Sequence, residues 1–307
     1  MIDLIIKRIF SLIPIILGVI FVTFIIIHAI PGNPAEIILG LDATEENIAK
    51  LEEKMGLDKP LFVQYLMYIK QLLHGDLGYS YRTDRLIIDE ISSRYLNTLM
   101  LSAVALVFAL VIGTIIGVLC ALKPNSFSDV ILKGFSVLGI SLPEFWSGFL
   151  LMLLFSVCLH WFPAEGKHGI SSFILPGITM AFSSIGMTSR LIRSSLLEIL
   201  QEPYIRTARS KGVSKIMVVV RHALKNAMIP AITILAFQIG RFLGGAVVVE
   251  TVFNWPGMGR LAIDSILSRD IPLIQATILL LALTYVVINL IADILYAVLD
   301  PRVRYNR

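Results

Sequence analysis

"YIRTARSKGVSKIMVVVRHALKNAMIP", Tyr204 to Pro230, carries six basic residues and no acid in a chain that is otherwise oily. The cations are Arg206, Arg209, Lys211, Lys215, Arg221 and Lys225. Each Arg or Lys at the centre of a membrane helix costs about 2.5–3.5 kcal/mol to insert. Six raise that to roughly 15–20 kcal/mol as an upper bound. The segment therefore reads as lying in water beside a membrane. Its pattern predicts two short helices meeting at an angle. Pro203 suits the first turn of a helix running to about Ser210. Gly212 supplies a permissive backbone for the break. Ser214 caps a second helix that leads into the next apolar stretch. On charge alone, a basic amphipathic helix resting on anionic lipid would look the same.

Around this segment, 56% of the 307 residues are hydrophobic and 16% are charged, with a mean hydropathy of +0.83. Ordinary soluble domains are about 25% charged. A single soluble core cannot hide so much apolar surface, so the bilayer is the expected solvent. The net charge of +4 and pI near 9.0 then reflect Lys and Arg in cytoplasmic loops rather than a nucleic-acid partner. Cys120 and Cys158 are too few for a disulfide framework and are expected near opposite membrane faces, unable to pair.

Six apolar stretches are long enough to cross about 30 Å of hydrocarbon. They run Ile9–Ile30, Tyr95–Leu122, Gly134–His160, Ile170–Ser189, Asn226–Val249 and Ile271–Leu299. The first is too long for a signal-peptide core and no small-x-small cleavage pattern follows it, so it reads as a retained anchor. Lys7, Arg8, Lys123, Lys133, Arg190, Arg193, the basic segment and Arg302, Arg304 and Arg307 all fall on one side. That side is then cytoplasmic, with both termini inside. The expected fold is all-α: a polytopic membrane helical bundle. GxxxG pairs at Gly113/Gly117 and Gly240/Gly244 offer close helix contacts.

Three parts follow: 1–30, the N-terminal segment and first span; 31–94, an extracytoplasmic helical cap; and 95–307, a transmembrane core with a cytoplasmic elbow at 196–226. The cap holds eleven acids against seven bases. Thr44 suits the N-cap of "EENIAKLEEKM", with Gly56 as its stop. Pro60 opens a second helix ending at Gly75, whose apolar face must be buried, either as a lid on the spans or as a docking surface for a partner. Further on, "GRLAIDSIL" reads as a short surface helix and Trp255 as an interfacial ring.

"RTARSKG" with "HALKNAMIP" resembles the EAA loop of ABC-importer permeases in the form used by the dipeptide, oligopeptide and nickel group. Arg206-Thr207-Ala208 stand at the Glu-Ala-Ala positions, Gly212 at the glycine, and Leu224-Lys225 at the later Leu-Pro. "RIFSLIPIILGV", "PGNPA", "GLDKPLFVQYL", "GDLGYS", "NTLMLS", "VVVETVFNWPGMGRLAIDSILSRDIPLIQA" and "LDPRVRY" extend the resemblance over essentially the whole chain. It implies half of a translocation pathway for short peptides, completed by a sister permease, in a bacterial or archaeal cytoplasmic membrane. Two cytosolic ATPase subunits, which bind ATP and Mg, would grip the elbow at Tyr204, Arg206, Thr207, Ala208, Arg209, Lys211, Gly212 and Val213. An extracytoplasmic solute-binding protein would deliver the substrate. Nickel, metal–opine or glutathione transport are alternatives within the group; a secondary transporter is the alternative outside it.

No GxxxxGK[ST] phosphate loop occurs in the sequence, so ATP hydrolysis is expected of other chains. No catalytic or metal constellation stands out, and His160 and His168 match no strong ligand spacing. Ionisable residues within spans mark pathways or pairs. Arg241 is the costliest, with Asp293, Glu144 and Glu250 as candidate partners, and Glu144 follows a kink at Pro143.

Overall fold

Apolar runs bounded by Pro, Gly and short polar caps become helices in this protein. The computed structural model describes residues 2–28, 34–39 and 43–299. Among the described residues no strand forms, only one isolated antiparallel bridge between Tyr79 and Leu86. The chain divides into two units: Met1–Leu96 with Arg260–Val286, and Asn97–Gly259 with Val287–Arg307.

The first unit contains α1 (Ile2–His28), α2 (Pro34–Leu39), α3 (Glu45–Met55), α4 (Leu61–Leu73) and the start of α5 (Ile87–Leu122). Most of α12 (Met258–Leu267) and the first part of α13 (Ile271–Leu299) also belong to it. The Thr44 hydroxyl accepts from Asn47 N at 3.3 Å, and Gly56 closes α3 at φ +72°. Only a residue at ease in the left-handed region ends a helix in this way without strain. The Asp270 carboxylate caps α13 through Leu273 N and also takes the Ser80 hydroxyl and the Tyr81 and Arg82 amides. Burial and the neighbouring Asp270 charge push the Tyr81 phenol up to about 12. The expected boundary at 94/95 falls inside α5, which carries the cap straight into the second apolar stretch.

In the second unit α8 (Ile174–Ile199) is the element around which others pack. It is met by α5, α6 (Phe127–Ser141), α7 (Glu144–Leu151) and α11 (Leu224–Val252). Small residues permit the approach. A Cβ on Gly113 would meet the Thr188 side chain at 2.8 Å, and one on Gly117 would meet the Ser189 carbonyl at 2.8 Å. A Cβ on Gly139 would lie as close to the Phe182 carbonyl. Without a hydrophobic force between helices in lipid, close backbone contact is what holds them. Polar side chains add specific ties: Ser136 to Ser189 at 2.8 Å, and the Ser184 hydroxyl to the Gln238 amide oxygen. The other GxxxG behaves differently, since Gly244 is exposed and a Cβ there would meet nothing within 4 Å.

Several spans depart from expectation. The third is two helices, not one kinked helix. Pro143 disfavours helical geometry at the residue before it, and Leu142 sits extended at ψ 134°. α7 then starts at Glu144 and passes into a π-helical stretch, Met152–Cys158. α8 runs beyond the predicted Ser189 to Ile199. Four helices among the described residues are long and apolar enough to cross a membrane, and two shorter apolar segments are Leu12–Ile25 and Glu144–Cys158. Trp255 is fully buried rather than interfacial, edge-on to Phe173 at 4.6 Å, with its N–H directed at the Asn97 carbonyl at 3.4 Å. Both cysteines are free, Cys120 buried and Cys158 exposed.

One ion cluster fixes α6 to α8. Arg193 donates to both Asp129 oxygens at 3.0 Å, and Lys133 adds a third cationic contact at 2.8 Å. The Asp129 side chain is fully buried, and the Arg193 guanidinium holds its carboxyl far below the usual carboxylate range. A lowered folded value means the stabilisation is present above the unfolded carboxylate pKa and is lost as pH falls through the folded one. Asp129→Asn should lower stability at pH 7 by about 1–3 kcal/mol, because charge-assisted hydrogen bonds are lost while Arg193 and Lys133 keep some contact with solvent. Thermal unfolding in detergent across pH should show the gap between wild type and variant narrowing below about pH 4.

Candidate coupling elbow and intramembrane charges

Glu202 precedes α9 (Pro203–Ser210), and Pro203 occupies the first turn, where its missing N–H costs nothing. The helix stops because Gly212 turns left-handed at φ +81°, with its N–H donating to Arg209 O at 2.9 Å. Ser214 then caps α10 (Lys215–Met217), its hydroxyl accepting from Met217 N at 3.4 Å. A π-helical turn, Val218–Ala223, joins α10 to α11 without a break. The path from Lys215 to Val252 is therefore about 55 Å long, well beyond a ~30 Å hydrocarbon core. Its basic first part has room to stand outside the membrane.

The elbow has two faces. Ile205 is fully buried among Ile192, Leu196, Val218, Val219 and Ala223, with Ala208 and Val213 partly buried against the same cluster. Tyr204, Arg206, Thr207, Arg209, Lys211 and Gly212 are exposed. Among the described residues, the side chains of Arg206, Arg209 and Lys211 form no ion pair. Of the eight residues predicted at the elbow, six thus lie on one open surface, and Ala208 and Val213 support it from beneath.

Two ties anchor this surface that the sequence did not disclose. Lys215 Nζ donates to the Leu122 carbonyl at 2.8 Å, satisfying an orphan acceptor at the end of α5. Asn226 donates to the Tyr204 hydroxyl at 3.1 Å and joins α9 to α11. Neither partner pair is close in sequence, so no local pattern announces them. Together with Asp129–Arg193 they make the elbow part of the helix bundle rather than a loose loop.

The charges expected within the spans fall in different settings. Glu144 opens α7, where an acid suits the helix N-terminus, and it packs over Gly245. Arg241 is the charge that acts on it electrostatically. Glu250 is fully buried and accepts from the Thr98 hydroxyl at 2.6 Å, and the same hydroxyl accepts from Met258 N at 2.8 Å. The Asp293 side chain lies outside the described residues, as do Arg302, Arg304 and Arg307. Arg241 itself is exposed on α11, in register with Gly244, Val248 and Thr251.

Residues 113–305 match the family described as the binding-protein-dependent transport system inner membrane component, and residues 1–102 match its N-terminal family. The chain belongs to this family. It is thus a permease subunit of ABC importers, a polytopic inner-membrane protein that works with other subunits. Relatives share 44% identity in Salmonella typhi and 42% in Escherichia coli, each over 306 residues and the full length of both chains. Both are glutathione transport system permease proteins. Among solved structures, an inward-facing form of the MetNI methionine ABC transporter matches with a TM-score of 0.56 at 16% identity. It covers 68% of this chain and 95% of that one, a likeness of fold.

Ile205→Ala should destabilise the permease by about 2–5 kcal/mol, because the cluster beneath the elbow cannot collapse around the cavity. Gly212→Ala meets no neighbour within 4 Å, so its cost should be only the ~1–2 kcal/mol of a left-handed backbone. Thermal unfolding of the two purified variants checks the ordering.

Proposed function

We propose that the chain is one of two permease subunits of an ATP-driven importer of short peptides, glutathione among them. An extracytoplasmic binding protein delivers the substrate, and two cytosolic ATPase subunits hold ATP and Mg. The observation that carries this reading is the outward cationic face of α9 set on a hydrophobic base shared with α8 and the helical run into α11. Acids in an ATPase groove suit Arg206, Arg209 and Lys211. Movement imposed on α9 passes through Ile205 and the Tyr204–Asn226 bond into the two helices that flank it.

Six crossings with both termini in the cytoplasm accompany this proposal. The clustering of short-loop Lys and Arg on one side supports it. The full-length likeness to glutathione permeases favours a tripeptide with free carboxylates as substrate, which is short-peptide chemistry.

Arg241 suits such a ligand. In α11 from Ala227 to Val252 the charged residues are Arg241 and Glu250, and Glu250 is buried. An exposed guanidinium on a membrane helix is stable only beside a water-filled path or a partner. We assign it to the pathway between the two permeases, where it takes a substrate carboxylate.

Proteoliposomes holding the full complex should accumulate labelled glutathione or dipeptide only with ATP and binding protein present. A cysteine at Lys211 should crosslink to the ATPase. Arg241→Ala should cut uptake about tenfold or more, equal to about 1.4 kcal/mol or more of lost interaction. Uptake by the chain alone on an ion gradient would instead establish a secondary transporter.

A further inference from the structure

α4 has an apolar face that no other described element covers. It spans 13 residues, about 20 Å, and is too short to cross a bilayer. None of its residues is fully buried. One side is fastened to α1. Tyr65 packs edge-on to Phe21 at 5.7 Å and Phe24 at 5.3 Å, Tyr68 stacks near Phe24, and Gln64 meets His28 at 3.0 Å. By helical spacing Phe62, Leu66, Ile69 and Leu73 share an arc of about 60° beside that contact. Phe62 is 70% exposed and Leu73 82% exposed. Lys70 borders the arc, and Gln64 and Gln71 lie opposite it.

We propose that α4 lies in the bilayer, in the leaflet next to the C-terminal end of α1, with this arc against acyl chains. Depth decides the occupant. With His28 at the headgroups, where the proposed first crossing ends, Phe24 and Phe21 lie about 6 and 10 Å deeper along α1, at the depth of interfacial helices. The exposed arc is continuous with the apolar exposed residues of α1, Phe21, Val22 and Ile25, which belong to the apolar segment Leu12–Ile25, so the inference rests on α1 being the first of the six proposed crossings. Water against Phe62, Leu66 and Leu73 would leave a patch of a kind that soluble surfaces rarely expose. Lys70 can bury its stem and keep its ammonium at the headgroups. The N-terminal cap is then partly a membrane anchor. This does not depend on what the permease carries.

The test uses the full chain with Cys120→Ser and Cys158→Ser, reconstituted in phosphatidylethanolamine/phosphatidylglycerol nanodiscs. Nitroxide labels go on Phe62→Cys, Leu66→Cys, Leu73→Cys and, as the polar reference, Gln71→Cys. Leu73 touches little and keeps one lipid-facing position informative if a label at Phe62 or Leu66 disturbs packing. The ratio of oxygen to nickel-chelate collision should be at least severalfold higher at the three apolar sites than at Gln71. Nickel-dominated collision at the apolar sites would place the arc in water and overturn the proposal. Low collision with both reagents would mean that protein covers it, and would overturn it equally. Protection that appears only when a binding protein is added would assign the face to that partner instead.

Discussion

Backbone amides and carbonyls in hydrocarbon have no water to bond, so they must be satisfied within the chain. Long helices meet that demand, and once formed they attract each other mainly where backbones can touch. α8 shows the consequence. Gly113 and Gly117 on α5 and Gly139 on α6 bring neighbouring backbones against it, and Gly186 of α8 itself faces the Ser136 carbonyl. Close approach then lets short hydroxyls bridge helices, as Ser136 and Ser189 do. The rest of the second unit is arranged on this framework.

Charges sit where the framework ends. Asp129, Arg193 and Lys133 join α6 to α8 beyond its tightest glycine contacts, and the cationic face of α9 begins ten residues further along the chain from Arg193. Burying Asp129 is tolerable because three donors besides Lys133 surround it: two Arg193 nitrogens and the Asn125 amide. Further along the chain, Glu250 is buried among Thr98 and the Trp255–Met258 turn. There Gly257 leaves room for the carboxylate, which a Cβ would overlap. Each buried acid thus ties a turn or a helix start to a long helix.

The elbow combines both devices. Its inward residues are aliphatic and pack into the helix bundle, while its outward residues include three cations, Arg206, Arg209 and Lys211, that form no ion pair among the described residues. A surface built this way is packed from below and open from above. The glutathione permeases that match from end to end keep the same overall length, so the cap and the elbow belong to one shared plan.

Periodicity, caps and breaks determined much of this from the sequence. Thr44, Gly56, Pro203, Gly212 and Ser214 act at the positions predicted, and α13 occupies Ile271–Leu299 as read, because these effects are local. The family was legible for the same reason, in short motifs. Pro143 was legible as a break, although it splits the span into two helices rather than kinking one; only the tertiary structure decided the burial of Trp255 and the use of Gly113/Gly117 but not Gly244. It also decided which side chains hold the elbow: Arg193 reaches Asp129 across 64 positions and Lys215 reaches Leu122 across 93. Contacts of that separation depend on how helices cross, and crossing is set by the shapes of both partners together.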